Sequence, residues 1–477
     1  MTLFGTDGIR GKFGVFPLDK KTIRKIGHAI SKSFNDDRIK KILIAHDGRE
    51  SCESIFRNLT EGILSHHDYE IVYLDLLPTP ALSCILAKTP LNSIGIQITA
   101  SHNPYTDNGI KIFDKFGFKI KSFQEKEIEK VVDCKFEVPN DIKFKFTHKN
   151  FYHEQYVSSL SELMSTVSKP SYKLHIAVDC ANGAVSEIVS AIKWPKNISL
   201  TIFNNSPNGT NINDKCGAVH PEYLSNVISQ LNKKNESDYI DFGICFDGDG
   251  DRAIIIDSSG NVLDGDDLLY IFASNLKADT HKRLLDNNVL PEASNQEKIL
   301  NDYLGRSEQI KVVGTVMTNY GIRKNLDKHD IKFLETDVGD KNVLYSLMAN
   351  GAYIGSESSG HIIHRAFEMT SVPIGDGMVT MIKFIHLLFE LNKNMSAIYP
   401  FSLKVPSKLI NIEIDTNSEV QFKEKHRIIL TKVEKMLRNN GRILIRKSGT
   451  QPLIRVLIEH ESSQILNDAE KLIRSIK

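Results

Sequence analysis

The run IQITASHNPYTDNGIKIF (residues 96–113) sets an alternating apolar stretch, ending at Thr99, against a polar loop that opens at Ser101 and closes at Asn108 and Gly109. Alternation of this kind marks a strand, so the loop is expected at a strand's carboxyl end. The pattern, a short β-branched run followed by Gly, Asp, Ser or Asn, returns at KILIAHDGR (41–49), IVYLDLLPTP (71–80), LHIAVDCANG (174–183), FGICFDGDGDR (242–252), KVVGTVMTN (311–319) and AYIGSESSGH (352–361). Helical-period stretches such as 22–34 and 223–231 lie between them. Strands alternating with helices predict an α/β fold, with ligands gathered at the carboxyl ends of the strands.

Working outward, three successive α/β units are expected over 1–155, 156–258 and 259–398. The remainder, 399–477, reads differently. KLINIEID, a helix around 420–439 and RILIRKSGTQPLIRVLIE predict a small α+β domain. Residues 277–306 are polar and turn-prone and are expected to form a surface excursion, to which no chemistry is assigned. The length of 477 residues agrees with three or four domains at about 150 residues each.

Composition excludes several function classes. Sixty Lys and Arg against 59 Asp and Glu leave a net charge of +1, so nothing draws the whole chain to nucleic acid or anionic lipid. The six cysteines form no C-x-x-C pair, which argues against metal fingers and redox dithiols and for reduced thiols. MTLFGTDGIR lacks the basic and apolar regions of a signal peptide, and no apolar run approaches the roughly 20 residues of a membrane helix. A cytoplasmic protein is expected.

Ser101 poses a chemical question. It is not in a G-x-S-x-G elbow, and in extended backbone the adjacent His102 would point to the opposite face. DGDGDR (247–252) suggests an answer. Asp247, Asp249 and Asp251 share one face of an extended chain, and Gly248 and Gly250 let the backbone curl so the carboxylates converge. Three acids held together call for a hard divalent cation. The EF-hand reading fails, because Arg252 and Ser258 stand where Gly and Glu are needed. A magnesium site takes phosphate oxygens readily, so a phosphoryl group on Ser101 would complete the shell, flanked by Asn103 and Lys111 as donors.

Three further loops carry candidate residues. RKSGTQPLIR (446–455) offers Arg446, Ser448, Gly449 and Thr450 as a cradle for a phosphate dianion. GSESSGH (355–361) offers Glu357, Ser359 and His361 on one face of an extended loop, the first two for sugar hydroxyls or an amine and His361 as acid or base. GTDGIRG (5–11) places Arg10 as an anion ligand. With no preceding strand, it is not a dinucleotide fingerprint. Taken singly, each of these loops has an ordinary turn as its alternative reading.

Together and in this order, GTDGIRG, TASHNP with DNGIK, DGDGDR, ESSGH and SGTQPLIR resemble the α-D-phosphohexomutase superfamily over nearly the whole chain. NINDKCGAVHPEYL (211–224), VVGTVMTNYG (312–321) and the ending RKSGT…PLIRV are most similar to its bacterial phosphoglucosamine mutase family. The resemblance implies four domains around a central cleft, three related mixed-sheet α/β domains and a smaller C-terminal α+β domain. It implies that Ser101 is a phosphoserine and that one Mg²⁺ per subunit is held by its phosphate with Asp247, Asp249 and Asp251. Lys111, His361 and Arg10 would serve catalysis, Glu357 and Ser359 would grip the sugar, and Arg446, Ser448, Gly449, Thr450 and Arg455 would hold the distal phosphate.

The implied reaction converts glucosamine 6-phosphate to glucosamine 1-phosphate through a 1,6-bisphosphate, feeding UDP-N-acetylglucosamine and cell-wall synthesis. Glucosamine 1,6-bisphosphate or glucose 1,6-bisphosphate would be the activator. The expected partner is a small sugar phosphate, with no nucleic acid and no membrane, and a homodimer is the assembly considered. Three departures from the family pattern stand out: Ser356 for Gly, Gln451 for Glu, and Lys341-Asn342 for Arg-Tyr. Phosphomannomutase/phosphoglucomutase activity is the alternative. A phosphatase and a non-catalytic sugar-phosphate sensor are the readings from other classes.

Overall fold

The computed structural model describes residues 3–476 apart from 6, 35–37, 90–91, 140–141, 149–150, 167–171, 235–238, 276–308, 366–372, 392–397, 400–402, 414–418 and 448–452. The excursion expected at 277–306 therefore lies outside the described residues.

The first sheet contains β1 (Phe4–Gly5), β2 (Gly8–Lys12), β3 (Lys41–His46), β4 (Glu70–Leu76), β5 (Ser93–Ile98), β6 (Asp107–Phe113) and β7 (Thr147–His148), in the order β1-β2-β6-β5-β3-β4-β7. β5, β3, β4 and β7 run parallel, while β6 lies antiparallel to its neighbours β5 and β2, so the sheet is mixed. Alternation along β3 decides which side each residue serves. Ile42 and Ile44 face the helices Lys20–Ser33 and Cys52–Leu64, whereas Leu43 and Ala45 face the helices Thr79–Lys88 and Phe151–Ser165. Asp19 starts the helix Lys20–Ser33, its Oδ1 accepting from Thr22 N at 3.0 Å. The helix then buries Ile23, Ile26 and Ile30 at helical spacing.

The second sheet holds β8 (Leu174–Asp179), β9 (Ile198–Phe203), β10 (Phe242–Phe246), β11 (Ala253–Asp257) and β12 (Val262–Leu263), ordered β12-β11-β10-β8-β9. The third holds β13 (Lys311–Thr315), β14 (Lys332–Thr336), β15 (Ile354–Ser356) and β16 (Ile362–His364), ordered β14-β13-β15-β16. Each joins parallel strands to an antiparallel edge. The fourth, β17 (Ser407–Glu413), β18 (Gly441–Lys447) and β19 (Leu453–His460), is antiparallel in the order β17-β19-β18. Three mixed α/β layers and a smaller α+β layer are the architecture read from the sequence.

Several elements differ from expectation. The single helix expected at 420–439 is two, Glu419–Lys425 and Arg427–Leu437, interrupted at His426. A closing helix, Ser463–Arg474, was not singled out. The helix Phe151–Ser165 runs across the division at 155/156, its Tyr156 hydroxyl donating to Asp376 ahead of the helix Gly377–Leu391. β12 continues the second sheet beyond residue 258.

One apolar core runs unbroken from Leu43 in the first sheet to Tyr399, taking in faces of the first three sheets. The fourth domain has its own core of Ile410, Phe422, Val433, Val456, Ile458 and Ile473. All six cysteines are free thiols, and no helix among the described residues is long and apolar enough to cross a membrane.

Candidate active site

DGDGDR forms the turn between β10 and β11, where the carboxyl end of a strand buried on both faces meets the antiparallel return. Gly250 takes a left-handed φ of 73°, open to glycine at no steric cost. A side chain at Gly248 would strike Ser101 O at 2.7 Å and Ile212 Cδ1 at 2.7 Å. The turn's carbonyls bind outward in three directions. Gly248 O accepts from Ala184 N in the second domain, Asp249 O from Thr79 N in the first, and Gly250 O from Gly377 N in the third.

Inside the turn, Asp247, Asp249 and Asp251 are buried, and each offers an oxygen within 4.8 Å of the others. Among the described residues, Asp249 Oδ1 and Asp251 Oδ1 have no hydrogen-bond partner. Buried carboxylate oxygens left bare are costly, and an all-oxygen set with orphaned acceptors fits a hard divalent cation. Lys111, on β6, offsets part of the charge, its Nζ 2.8 Å from Asp249 Oδ2, 3.2 Å from Asp251 Oδ2 and 3.0 Å from Asp7 Oδ2. Burial alone would lower the Lys111 pKa, but Asp249, Asp7 and Asp251 outweigh it and hold it well above the usual range. Burial, then Asp251 and Asp249, push Asp247 up. At Asp251 burial pulls the same way, yet Lys111 and His361 override it and keep this carboxyl low.

Ser101 meets this cluster from the first domain, its Oγ donating to Asp247 Oδ2 at 2.6 Å. Its φ is 53°, in the left-handed region. That turn overrides the extended-chain expectation for His102, whose Nδ1 lies 3.4 Å from Ser101 Oγ. Burial, then Arg252 and Arg10, push His102 down to about 3, so it is neutral. Asn103 does not flank the hydroxyl as expected; its Nδ2 donates to Asp107 Oδ2 at 3.0 Å. Arg10 reaches the loop from β2, with Nη1 3.5 Å from Ala100 O.

The loop's shape comes from residues the sequence reading passed over. Arg49, fully buried, donates from Nη2 to Ser101 O and Asn103 O, each at 2.9 Å, and from Nη1 to Asp107 O at 2.9 Å and to Pro104 O. Asp47 fixes Arg49 through Nε at 2.9 Å and accepts from Thr99 Oγ1 at 2.6 Å. The signal available was HDGR at the end of a strand, whose partners lie some fifty residues on.

The third domain contributes Glu357, Ser359 and His361, but not on an extended face. Gly360 N donates to Glu357 O, and Gly360 is left-handed, so the chain turns. Ser359 is exposed, Glu357 Oε1 accepts from Gly339 N at 2.8 Å, and His361 is buried with Nδ1 3.6 Å from Asp251 Oδ1. Burial would lower His361, and Asp251 raises it instead.

In the fourth domain Arg446 and Arg455 are direct cross-strand partners. Like charges placed opposite each other repel, and among the described residues neither Nε has a partner. Burial, then Arg455, lower Arg446. Such a pair suits an anion. Ser448, Gly449, Thr450 and the departing Gln451 lie outside the described residues. Of the other departures, Lys341 pairs with Glu125 and donates to Ile120 O at 3.3 Å, so it braces the first domain. Asn342 Nδ2 donates to Val338 O, and Ser356 Oγ donates to Gly265 O at 2.7 Å.

Comparison with known proteins agrees with the four-domain architecture. Models of the four phosphoglucomutase/phosphomannomutase domains match in turn: alpha/beta/alpha domain I at 1–137, domain II at 154–260, domain III at 264–402 and the C-terminal domain at 409–475. The phosphoglucosamine mutase of Bacillus subtilis (strain 168) is 34% identical over 469 residues, covering 98% of this chain and 96% of that protein. The phosphoglucosamine mutase of Pseudoalteromonas translucida (strain TAC 125) is 32% identical over 478 residues, covering 99% and 97%. In fold, the chain is similar to a phosphoglucomutase/phosphomannomutase family protein from Burkholderia thailandensis, with TM-score 0.71, 21% identity and coverage of 98% and 96%. It is also similar to Aspergillus fumigatus N-acetylphosphoglucosamine mutase, solved with GlcNAc-6P and magnesium, with TM-score 0.62, 17% identity and coverage of 99% and 95%.

Proposed function

The chain belongs to the phosphoglucosamine mutase family of the phosphohexomutases, and from that premise we propose that it interconverts glucosamine 6-phosphate and glucosamine 1-phosphate through a phosphorylated Ser101. The observation that carries the reading is the 2.6 Å contact between Ser101 Oγ and Asp247 at the mouth of the buried acid trio. A hydroxyl from the first domain and three carboxylates from the second converge where a cation would offset the charge of both the carboxylates and a phosphoryl group.

In the first half-reaction the free hydroxyl of the sugar monophosphate attacks phosphorus on Ser101. A new P–O bond forms as the bond to Ser101 Oγ breaks. The sugar hydroxyl gives up its proton, Ser101 Oγ gains one, and the product is the 1,6-bisphosphate. The bisphosphate then presents its other phosphate to Ser101, and the steps reverse. His361, buried against Asp251, is assigned the transfer of the proton. Lys111, held as an ammonium by the acids around it, and Arg10 are assigned to the charge that builds during transfer.

Glu357 and Ser359 are assigned to the sugar, and Arg446 and Arg455, with Ser448, Gly449 and Thr450, to the distal phosphate. Asp247, Asp249 and Asp251, with an oxygen of the Ser101 phosphate, would hold a Mg²⁺ whose charge, when bound, offsets that of the phosphoryl oxygens. Glucosamine 1,6-bisphosphate or glucose 1,6-bisphosphate would reload a dephosphorylated serine. The product would feed UDP-N-acetylglucosamine synthesis.

Intact-mass measurement and peptide mapping of the purified protein should find one phosphate, on Ser101. Ser101→Ala should reduce turnover to below about 1% of wild type, since the covalent route is lost. Activity above a few per cent in that variant would end the phosphoserine reading. A higher kcat/KM on mannose or glucose phosphates than on glucosamine phosphates would overturn the sugar assignment alone.

A further inference from the structure

Two donors, from two different domains, converge on the main-chain carbonyl of Ser101. Arg49 Nη2 from the first domain lies 2.9 Å from Ser101 O, and Asn213 Nδ2 from the second domain also lies 2.9 Å from it. A carbonyl oxygen has two lone pairs, so this one is fully used, half by each domain. The orientation of the Asn213 amide follows from the network, since a carbonyl can only accept and the atom facing it must be the nitrogen. Asn213 Nδ2 also approaches Asn103 O at 3.3 Å, so it spans the turn that contains the serine.

The loop that presents Asn213 is built for that placement. Asn213 has φ 57°, a conformation that asparagine tolerates better than most residues. Its own N–H donates to Ala181 O at 2.9 Å, and Gly217 N donates to Asp179 Oδ2 at 2.9 Å, fixing the loop to the end of β8. Gly248 completes the fit. A Cβ there would come within 2.9 Å of Asn213 Nδ2 and 2.7 Å of Ser101 O, so the acid turn, the serine turn and the Asn213 loop meet around one missing side chain. Asn213 lies in NINDKCG, a stretch that the catalytic scheme leaves without a task.

We propose that Asn213 is a positioning residue for phosphoryl transfer: by holding the Ser101 carbonyl across the domain boundary, it maintains the left-handed turn that aims Oγ at the acid trio. Ser101 then adopts its working geometry with the second domain docked, and the Asn213 amide is the contact through which its main-chain carbonyl senses that docking. The inference rests on the assignment of Ser101 as phosphoryl carrier and adds to it a residue that touches neither sugar nor phosphate.

The test uses the full-length enzyme with two variants that both accept a positive φ. Asn213→Asp keeps the shape but removes the amide N–H donors, and Asn213→Gly removes the side chain. Phosphate on Ser101 is measured by intact mass before and after incubation with glucose 1,6-bisphosphate. Steady-state kinetics with glucosamine 6-phosphate give kcat and KM separately.

Because a misaimed nucleophile loses rate rather than affinity, kcat should fall roughly 10- to 100-fold while KM stays within about twofold and the serine still accepts phosphate. A kcat within about twofold of wild type in Asn213→Gly would overturn the proposal. So would a loss of kcat that is regained on cooling, because that marks a general loosening of the fold, or one matched by an equal rise in KM, because that marks weakened substrate binding. The two readings fail separately. An active wild-type enzyme with no phosphate on Ser101 removes the premise, whereas a phosphorylated wild type with an unimpaired Asn213→Gly removes only this role.

Discussion

Asp376 shows how one buried acid can set a pH dependence without touching the chemistry. It precedes the helix Gly377–Leu391, its Oδ1 accepting from Val379 N at 3.0 Å and its Oδ2 from the Tyr156 hydroxyl at 3.0 Å. Burial pushes it up to about 6 from an ordinary 3.8. The folded state therefore holds this proton more tightly than the unfolded chain does. The resulting stabilisation is complete below about pH 4 and is lost as pH rises through 6, a change on the order of 3 kcal/mol. Asp376→Asn keeps an acceptor for Val379 and stays neutral. Its stability relative to wild type should rise between pH 4.5 and pH 7.5 in urea titrations, and an unchanged offset would contradict the assignment. At this scale the sequence was legible where residue type announces chemistry: three acids at alternate positions and a serine at a strand end, which the fold brings together. Arg49 and Asn213 were not, because an Arg or Asn in a polar loop looks the same whether it meets water or a carbonyl from a distant segment.

Among the elements, the helices Lys20–Ser33 and Cys52–Leu64 make the tightest demand. A Cβ at Gly27 would lie 2.2 Å from Leu59 O, and one at Gly62 would lie 2.0 Å from Arg24 O. The two helices therefore pack backbone to backbone. Gly62→Ala gains about 1 kcal/mol of helix propensity but forces the pair apart, at an overpacking cost of about 1–3 kcal/mol. A lower urea midpoint than wild type is expected, and a higher one would show that the helices part freely. Strand and helix identities were readable from periodicity. What periodicity missed is instructive: the continuous apolar spacing from 420 to 439 gave no sign of the break at His426, since Phe422 and Leu430 face the same core on either side of it. The turn at Gly360 was hidden for the opposite reason, because its cause is a backbone hydrogen bond to Glu357 and not a side-chain pattern.

The whole molecule divides unequally. A single core unites the first three domains, whereas the fourth closes around apolar residues of its own. The link between them is polar. Asn319 exchanges two hydrogen bonds with Val405, each at 3.0 Å, Arg442 Nη2 donates to Thr318 O at 2.7 Å, and Lys324 pairs with Glu461. Scanning calorimetry should resolve two transitions, the larger from the united domains and the smaller from the C-terminal one. One cooperative transition would refute that division. The order of the motifs made four units readable from the chain alone, but no local pattern says that three of them share an interior. The acid turn sharpens the contrast, since its successive carbonyls are bound by residues of three domains. Recombination between related genes could exchange everything beyond residue 405 and inherit a matching seam of a few polar bonds. A crossover separating residue 79 or 184 from residue 249 would have to carry compatible halves of the same turn, so this fold is modular at one end and indivisible at the other.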